Sequence, residues 1–467
     1  MNQIRSYFCL FLKLSYFISV IAIQVGLVAY RCKPITSLIP VSLLLVYVVA
    51  HDRYFSRPIP VYLVDFSCLR PSPSYRVPLA AFLENASLPD LFDKESVSFM
   101  AKVIGSSGQS EETFLPPSLR YIPPKTENQE SIKEAHLLYF PVMDNLLSKT
   151  KISPLDIDIL IVNCSGFCPA PSLTSIVVNR YKMRDDIKTF NLSGMGCSAG
   201  AIGIDLARNV LQNQKYSFAI ILSGEILSTG WYPGKDKRKL LLNCLFRMGS
   251  SAVLLTNKES SRQTAKYKIC SVLRTNRSFD DKAYLSGIRT EDDEGITGFS
   301  IERHLLKVAA ETLRANISLL GRSVLPPLEK AKYLLSLLRK KLFNPSAELY
   351  IPSFSSVIQH YCIPVSGLGV IKEIGKGLKL TREDMEPAVM SLHRFGNQSS
   401  SSMWYEMAYM EAKTRVKKGD RVWQLWMGTG TKCNSIIWEC MREMKDESKR
   451  GPWFDCIHRY PVEITGF

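Results

Sequence analysis

Short apolar runs alternate along most of the chain with segments in which apolar residues recur at helical spacing. The apolar runs predict buried strands at 61–66, 155–163, 187–192, 218–223 and 420–427. The periodic segments predict helices at 131–149, 171–182 and 199–212. Residues 105–130 carry glycine, proline and charge, which is typical of a long loop. Strands alternating with helices indicate an α/β protein with a largely parallel or mixed sheet.

The first 57 residues follow a different pattern. Two apolar runs, 14–30 and 35–50, are each about long enough to cross a bilayer and predict a transmembrane helical hairpin. A cleaved signal peptide is the alternative, but two runs are present and no small-residue cleavage site separates them. Basic residues flank the pair of runs and favour the cytosolic side for both ends: Arg5, Lys13, Arg53 and Arg57.

A glycine-rich segment, 191–200, joins a predicted strand to a predicted helix. Cys197 lies there among small residues, at the point where the helix begins. Glycines permit the tight backbone that presents a nucleophile at such a turn, and a helix N-terminus favours thiolate over thiol. Cys197 is therefore the candidate nucleophile. The alternative is a packing cysteine, since the chain has twelve cysteines in all.

The composition narrows the range of partners. The 467 residues are 46% hydrophobic, as in folded proteins, and carry a formal net charge of +16. That surplus indicates a polyanionic partner. No basic run is interleaved with aromatic residues, so nucleic acid is not expected. The cysteines are scattered without zinc-ligand spacing, which indicates free thiols in a reducing compartment and no metal site.

A leucine face and five basic residues share the segment 328–343. Two interpretations remain open. The segment is either a surface helix packed on the core through its leucines or a helix lying on a membrane surface near the entry of a lipid chain.

Several segments together resemble the plant 3-ketoacyl-CoA synthases, the condensing enzymes of fatty-acid elongation. These segments occur in the family's order and span the chain nearly end to end. They read RPIPVYLVDFSCLRPSPSYRVP (57–78), DIDILIVNCSGFCPAPSLTSIVVNRYKMR (156–184), NLSGMGCSAGAIGIDLA (191–207), LLNCLFRMGSSAVLLTN (241–257), LHRFGNQSSSSMWYEMAYMEAK (392–413) and GDRVWQLWMGTGTKCNS (419–435).

The resemblance implies a thiolase-like fold whose two halves, 58–262 and 263–467, stack into a five-layer αβαβα core behind the N-terminal hairpin. It implies an endoplasmic-reticulum membrane protein whose catalytic domain faces the cytosol, acting alone as a homodimer or with other elongase components. A cysteine thiolate would take a long-chain acyl group from acyl-CoA. The enolate formed by decarboxylation of malonyl-CoA would then attack that thioester. Coenzyme A thioesters are substrates here, and no cofactor is expected.

Position by position, Cys197 matches the family's nucleophile and Asn397 its asparagine, which donates a hydrogen bond to the developing enolate oxygen. His393 and His360 match two further histidines that the family carries. Gly428 and Gly430 match a loop that passes close to the acyl carbonyl, where only small residues fit.

Two positions depart from the family. Pro364 stands where the family has its catalytic histidine, and Asn276 stands where it has another histidine. Proline donates neither a side-chain nor a backbone hydrogen bond. An active or weakly active condensing enzyme, with His360 or His393 substituting for the lost imidazole, is one hypothesis. A non-catalytic member that binds acyl-CoA or regulates an elongase complex is the alternative. A polyketide synthase similar to chalcone synthase is disfavoured by the predicted hairpin and by the HRFGN segment at 393–397.

Overall fold

The computed structural model describes residues 19, 59–88, 92–214, 217–343, 346, 350, 352–464 and 467. Residues 60–467 belong to one compact unit. The predicted spans at 14–30 and 35–50 lie outside the described residues, apart from Ser19. Within the described residues, no helix combines the length and the apolar character needed to cross a membrane.

Eleven strands form in the described residues. They are β1 (Tyr62–Cys68), β2 (Ile159–Asn163), β3 (Lys188–Leu192), β4 (Phe218–Gly224), β5 (Ser250–Thr256), β6 (Tyr267–Asn276), β7 (Gly287–Glu291), β8 (Thr297–Ile301), β9 (His360–Cys362), β10 (Arg421–Gly428) and β11 (Lys432–Cys440). Nine of them are linked in the order β3-β2-β4-β5-β1-β6-β11-β10-β9, and β7 pairs with β8. The sheet is mixed, because β2 runs parallel to β3 and β4 while β5 and β1 are antiparallel.

Twelve α-helices accompany these strands in the described part of the chain. They are α1 (Leu79–Ser87), α2 (Lys94–Ser106), α3 (Asn128–Thr150), α4 (Leu173–Tyr181), α5 (Ala199–Leu211), α6 (Lys237–Leu245), α7 (Asp281–Leu285), α8 (Leu305–Val324), α9 (Pro327–Leu342), α10 (Leu368–Leu378), α11 (Arg382–Phe395) and α12 (Ser402–Ala412). The strands and helices predicted between 131 and 223 and at 420–427 all form, with ends shifted by a few residues.

Two helices pack between the strands of the first half and those of the second. Helix α5 contacts β2 and β4 on one side and β11 on the other, and α12 contacts β1, β9 and β10. On the outer faces, α3 packs on β1, β4 and β5, and α8 packs on β6 and β11. The linked strands of the two halves therefore form two sheet layers, with α5 and α12 between them and α3 and α8 on the outer faces. This order of layers (helix, sheet, helix, sheet, helix) is that of a thiolase-like fold. The half boundary predicted at 262/263 falls in the connection between β5 and β6.

The apolar character of the central strands follows from this layering. Every residue of β2 and of β5 is buried, because helices cover both faces of these strands. Residues at the carboxyl ends of β2 and β4 emerge from this core at the same edge of the sheet. Ligands bind at such edges in open α/β sheets, and the candidate site lies there.

Candidate active site

Cys197 lies in a 3-10 turn, Gly196–Ser198, that leads directly into α5. The turn fits under the end of β10 only because of two glycines. A Cβ on Gly428 would lie 2.4 Å from Ser198 Oγ and 2.5 Å from the Met195 carbonyl oxygen, and one on Gly196 would lie 2.6 Å from the Thr429 nitrogen. The strand–turn–helix arrangement predicted from the sequence is thus present. Gly430 is a turn residue of the β10–β11 hairpin, with φ of +64°.

One small cavity brings Cys197 together with two of the other predicted positions. Its walls combine the nucleophile turn, the segment after β9, the serine-rich turn before α12 and the end of β10. The lining residues are Cys197, Pro364, Val365, Ser366, Asn397, Ser399, Ser402, Met403, Trp426 and Met427. Pro364 therefore lies beside Cys197 and Asn397, where the resemblance to the family predicts an imidazole, and offers apolar surface instead.

Asn397 is oriented by its neighbours. Its Oδ1 accepts a hydrogen bond from the Ser399 backbone N–H at 2.8 Å, and its carbonyl oxygen accepts one from the Arg247 N–H at 2.8 Å. The Oδ1 bond fixes which end of the amide is the nitrogen. The Nδ2 group is then available to donate to an oxygen atom of a molecule in the cavity.

The two histidines proposed as substitutes are not brought to this cavity. His360 Nε2 lies 2.9 Å from Asp420 Oδ2, and His393 Nδ1 lies 3.2 Å from the Tyr460 hydroxyl. Neither histidine lines the cavity with Cys197. Asn276, the second departure, is exposed at the end of β6, where its Oδ1 accepts hydrogen bonds from Ser278. The geometry supports orienting roles for the two histidines rather than replacement of the lost imidazole.

Sequence reasoning missed two polar residues at this site. Ser399 Oγ lies 3.4 Å from Cys197 Sγ and 3.3 Å from Glu225 Oε2. Glu225 also accepts hydrogen bonds from the backbone N–H groups of Gly166 (2.8 Å) and Ser165 (3.2 Å). One signal could have revealed it. Glu225 follows directly after the buried strand β4, at the same sheet edge as the end of β2.

The electrostatics of the site correct one expectation. Burial raises the pKa of Cys197 to about 11; the hydrogen bond from Ser399 lowers it, and the negative charge of Glu225 raises it. Burial therefore opposes the thiolate that the position of Cys197 at a helix N-terminus was expected to favour. Burial also raises the pKa of Glu225, although the N–H groups of Gly166 and Ser165 stabilise its carboxylate. The thiol consequently needs a base to remove its proton during the reaction.

No group of three or more metal-ligating side chains occurs among the described residues. The buried cysteine beside Glu225 does not supply an ionised thiol that could ligate a metal. Cys164 donates from Sγ to Glu225 Oε1 at 3.5 Å, and burial raises its pKa well above the ordinary value, so it remains a neutral thiol.

Comparison with known proteins extends over nearly the whole chain. The family model for the FAE1/Type III polyketide synthase-like protein matches residues 53–342, and that for the 3-oxoacyl-[acyl-carrier-protein] synthase III C-terminal domain matches residues 355–440. Among solved structures, 1,3,6,8-tetrahydroxynaphthalene synthase from Streptomyces coelicolor A3(2) is similar with a TM-score of 0.60 at 16% identity, covering 81% of this chain and 99% of that one. Germicidin synthase from the same species gives a TM-score of 0.63 at 14% identity, covering 82% and 100%. These similarities establish the thiolase-like fold.

Sequence relatives specify the family within that fold. The chain is 48% identical to 3-ketoacyl-CoA synthase 6 of Arabidopsis thaliana over 411 residues, which cover 88% of this chain and 82% of that protein. It is 46% identical to 3-ketoacyl-CoA synthase 5 of the same plant over 423 residues, which cover 91% and 86%. The cysteine turn, the asparagine and the cavity that they share are thus found in a chain that belongs to the 3-ketoacyl-CoA synthase family.

Proposed function

We propose that the chain is an acyltransferase that condenses a long-chain or very-long-chain acyl-CoA with malonyl-CoA to give a 3-ketoacyl-CoA, in very-long-chain fatty-acid elongation. The observation that carries this proposal is the single cavity shared by Cys197 and Asn397. It brings together an acyl-accepting thiol, which forms the thioester, and an amide N–H donor, which stabilises the enolate oxygen. Regulation without catalysis is the less favoured alternative, because the nucleophile turn and the asparagine are both in place.

The reaction has two stages. In the first, Cys197 loses its proton, its sulfur attacks the acyl-CoA carbonyl, and coenzyme A leaves as a thiol. In the second, malonyl-CoA loses carbon dioxide, and the resulting enolate attacks the acyl-cysteine carbonyl. Carbon–carbon bond formation expels the Cys197 sulfur, which regains a proton. Asn397 Nδ2 stabilises the enolate oxygen, while Pro364 supplies no donor, so the second stage has one donor fewer than in a relative with histidine.

The site of action and the assembly are also part of the proposal. The apolar runs at 14–30 and 35–50 support a membrane anchor, and the family supports the endoplasmic reticulum with the catalytic unit on the cytosolic side. The net charge of +16 suits both the phosphates of coenzyme A and an anionic cytosolic leaflet. We further propose a homodimer or association with other elongase components. No cofactor is proposed.

The experiment uses the purified full chain in detergent or vesicles, with long-chain acyl-CoA and radiolabelled malonyl-CoA. We expect a labelled 3-ketoacyl product that Cys197→Ala abolishes. We expect turnover ~10²–10³-fold below that of a histidine-containing relative, the usual cost of losing one such donor. Intact-mass measurement of acyl-Cys197 without malonyl-CoA tests the first stage separately. Acylation without any product would support the non-catalytic alternative, and failure of both stages would refute the proposal.

A further inference from the structure

Because position 364 is proline, the half-buried thiol of Cys197 lacks the base that the resemblance to the family predicts there. The described residues provide one connected route from this thiol to a proton acceptor. Ser399 Oγ is 3.4 Å from Cys197 Sγ and 3.3 Å from Glu225 Oε2, and Glu225 is fixed by two backbone N–H groups. We propose that Ser399 and Glu225 form a proton relay that takes the place of the missing imidazole at Cys197. This inference rests on the proposed acyl transfer to Cys197.

The relay passes through the hydroxyl group of Ser399, which accepts one proton and donates another. When Ser399 O–H donates to Glu225 Oε2, a lone pair of Oγ is free to accept the proton of Cys197. As the sulfur attacks the acyl-CoA carbonyl, the thiol proton passes to Ser399 Oγ while the original hydroxyl proton passes to Glu225. Departure of coenzyme A reverses both transfers, so the leaving sulfur becomes a thiol and Glu225 is again a carboxylate. Catalytic hydrogen bonds of this kind tighten when the substrate is bound.

The backbone supports this role for Ser399. Its φ is +54°, a left-handed conformation that non-glycine residues rarely adopt. The hydrogen bond from its N–H to Asn397 Oδ1 maintains this conformation and connects the relay to the asparagine of the site. Backbone strain of this kind persists where the surrounding structure holds a functional side chain in place.

The surroundings of Glu225 determine the expected pH dependence. The titratable groups around it are Cys164, Cys197, Tyr139 and Glu134. Burial raises the pKa of both the Cys164 thiol and the Tyr139 hydroxyl well above their ordinary values, so both remain neutral. Burial likewise raises the pKa of Glu225, which must be ionised to accept a proton. Acyl transfer should therefore increase as pH rises through this raised pKa and then level off.

The test compares variants of the full chain by the rate of acyl transfer from acyl-CoA to Cys197, measured by intact mass between pH 5 and pH 10. Glu225→Gln preserves size and removes the base. We expect it to lower the rate at neutral pH ~10²–10⁴-fold, the usual contribution of a general base. Its rate should then keep increasing through the alkaline range instead of levelling off, because the thiol must ionise directly and burial raises the pKa of Cys197.

Ser399→Ala tests the other member, and Ser401→Ala is its matched control. Ser401 is a buried neighbour on the same turn whose hydroxyl donates to the Gln398 carbonyl oxygen. Ser399→Ala should lose the plateau as Glu225→Gln does, while Ser401→Ala should keep the wild-type profile. A wild-type rate and profile in either Glu225→Gln or Ser399→Ala would overturn the relay. The proposed function fails separately, if wild-type Cys197 accepts no acyl group.

Helix α9 takes no part in the proton relay. Its most apolar face is exposed. Leu328, Leu335 and Leu342 recur every seven residues and form one stripe, with Leu334 and Leu338 alongside it. Between 44% and 66% of each of these five side chains is exposed, and Phe343 directly after the helix is 82% exposed. The expectation that the leucine face packs on the core is thus wrong.

The polar side of α9 instead faces the protein. Glu329 is buried and accepts hydrogen bonds from the Tyr350 hydroxyl at 2.8 Å and the Ser353 N–H at 3.1 Å. Ser336 Oγ accepts one from the Tyr350 N–H at 3.1 Å. These bonds fix the rotation of the helix. The outward orientation of the leucines therefore follows from the hydrogen bonds that attach α9 to Tyr350 and Ser353.

Basic residues lie on both sides of the leucine stripe. At 100° per residue, Lys330 and Lys341 lie on one side of it, and Lys332 and Arg339 on the other. An apolar face bordered by cations matches the boundary between acyl chains and anionic headgroups. We infer that the α9 leucine face lies on an anionic lipid membrane surface.

The test places photoreactive p-benzoylphenylalanine at position 335 of the full chain in vesicles containing phosphatidylserine. The same probe at position 155 is the matched control, because Leu155 is also more than half exposed, elsewhere on the fold. We expect lipid adducts from position 335 and not from 155. The double variant Lys330→Gln/Lys341→Gln should reduce their yield about fivefold or more, since each cation adds to membrane attraction. Cross-linked chain dimers, or equal lipid labelling at both positions, would overturn the inference.

Discussion

Pro364 occupies the position at which the resemblance to the family predicts a catalytic histidine. Pro364 is buried beside Cys197 and Asn397, two residues after the end of β9. The Ile363 N–H donates to Glu406 Oε2 at 2.9 Å, which fixes the backbone immediately before the proline. Proline therefore removes a donor and a base while the cavity keeps its walls.

Pro364→His should increase condensation. The backbone at 364 is already placed, so the imidazole would enter the cavity with Cys197 and Asn397 and add a second donor for the enolate oxygen. We expect product formation from malonyl-CoA to increase by up to ~10²–10³-fold, the usual contribution of one such donor. Radiolabelled malonyl-CoA assays of the two purified chains measure this directly.

The comparison includes Pro364→Ala, which removes the ring without adding a donor and should not increase the rate. In the Glu225→Gln background, Pro364→His should increase acyl transfer by a larger factor than in the wild type, because it would then supply the only base. Equal factors in both backgrounds would mean that Glu225 and an imidazole at 364 are not alternative bases for the Cys197 thiol.

The contact between two elements, the cysteine turn and the end of β10, sets the position of the sulfur. Gly428→Ala would place a methyl group 2.5 Å from the Met195 carbonyl oxygen and 2.4 Å from Ser198 Oγ, on the turn that carries Cys197. We expect a loss of stability of ~1–3 kcal/mol from overpacking and a larger proportional loss of acyl transfer. Urea unfolding and acyl-Cys197 mass measurements report the two effects.

Gly377→Ala provides the control within a helix. Nothing lies within 4 Å of a Cβ at this position of α10, so alanine should raise stability by ~0.5–1 kcal/mol and leave acyl transfer unchanged. If Gly428→Ala acylated at the wild-type rate, the close approach of β10 would not be what positions Cys197.

Strands, helices and turns could be predicted from the sequence where neighbouring residues alone determine them. The apolar runs of β2 and β4 and the small-residue turn before α5 are evident in the chain itself. The outward orientation of the α9 leucines was not, because tertiary hydrogen bonds from Tyr350 and Ser353 to Glu329 determine it. Ser399 and Glu225 were missed for a similar reason. They are far apart in sequence, and only the meeting of the two halves brings them to Cys197.

At the scale of the whole molecule, a buried ion cluster joins the two halves. Lys266 Nζ lies 3.1 Å from Asp65 Oδ1 in β1, 2.8 Å from Glu411 Oε2 in α12 and 3.1 Å from Glu447 Oε1. The Lys266 N–H also donates to the Leu63 carbonyl oxygen at 2.9 Å, next to the β1–β6 pairing that connects the halves. Only about 1% of the Lys266 side chain is exposed, so its charge is compensated almost entirely by these carboxylates.

Lys266→Met should be severely destabilising, because it removes the cation that three interior carboxylates share and leaves only Lys149 beside Asp65 and Arg450 beside Glu447. We expect a loss of ~3–5 kcal/mol in the free energy of unfolding, measured with urea. Lys268→Met is the matched control, two residues further along the chain, in β6. Its partly exposed pair with Glu439, at 3.0 Å, should contribute only about 0–1 kcal/mol.

The same variant should change the response to acid. Burial alone would raise the pKa of Asp65, but the Lys266 and Lys149 ammonium groups outweigh it and lower that pKa. A carboxyl group whose pKa is lowered by folding stabilises the fold above its unfolded pKa, and this contribution is lost as pH falls through the folded value. Without Lys266 the folded pKa of Asp65 should rise toward its unfolded value, so this acid-sensitive contribution is already lost at neutral pH. The free energy of unfolding should therefore fall less steeply with decreasing pH in Lys266→Met than in Lys268→Met. An equal pH dependence in the two variants would show that Lys266 does not set the acid response of Asp65.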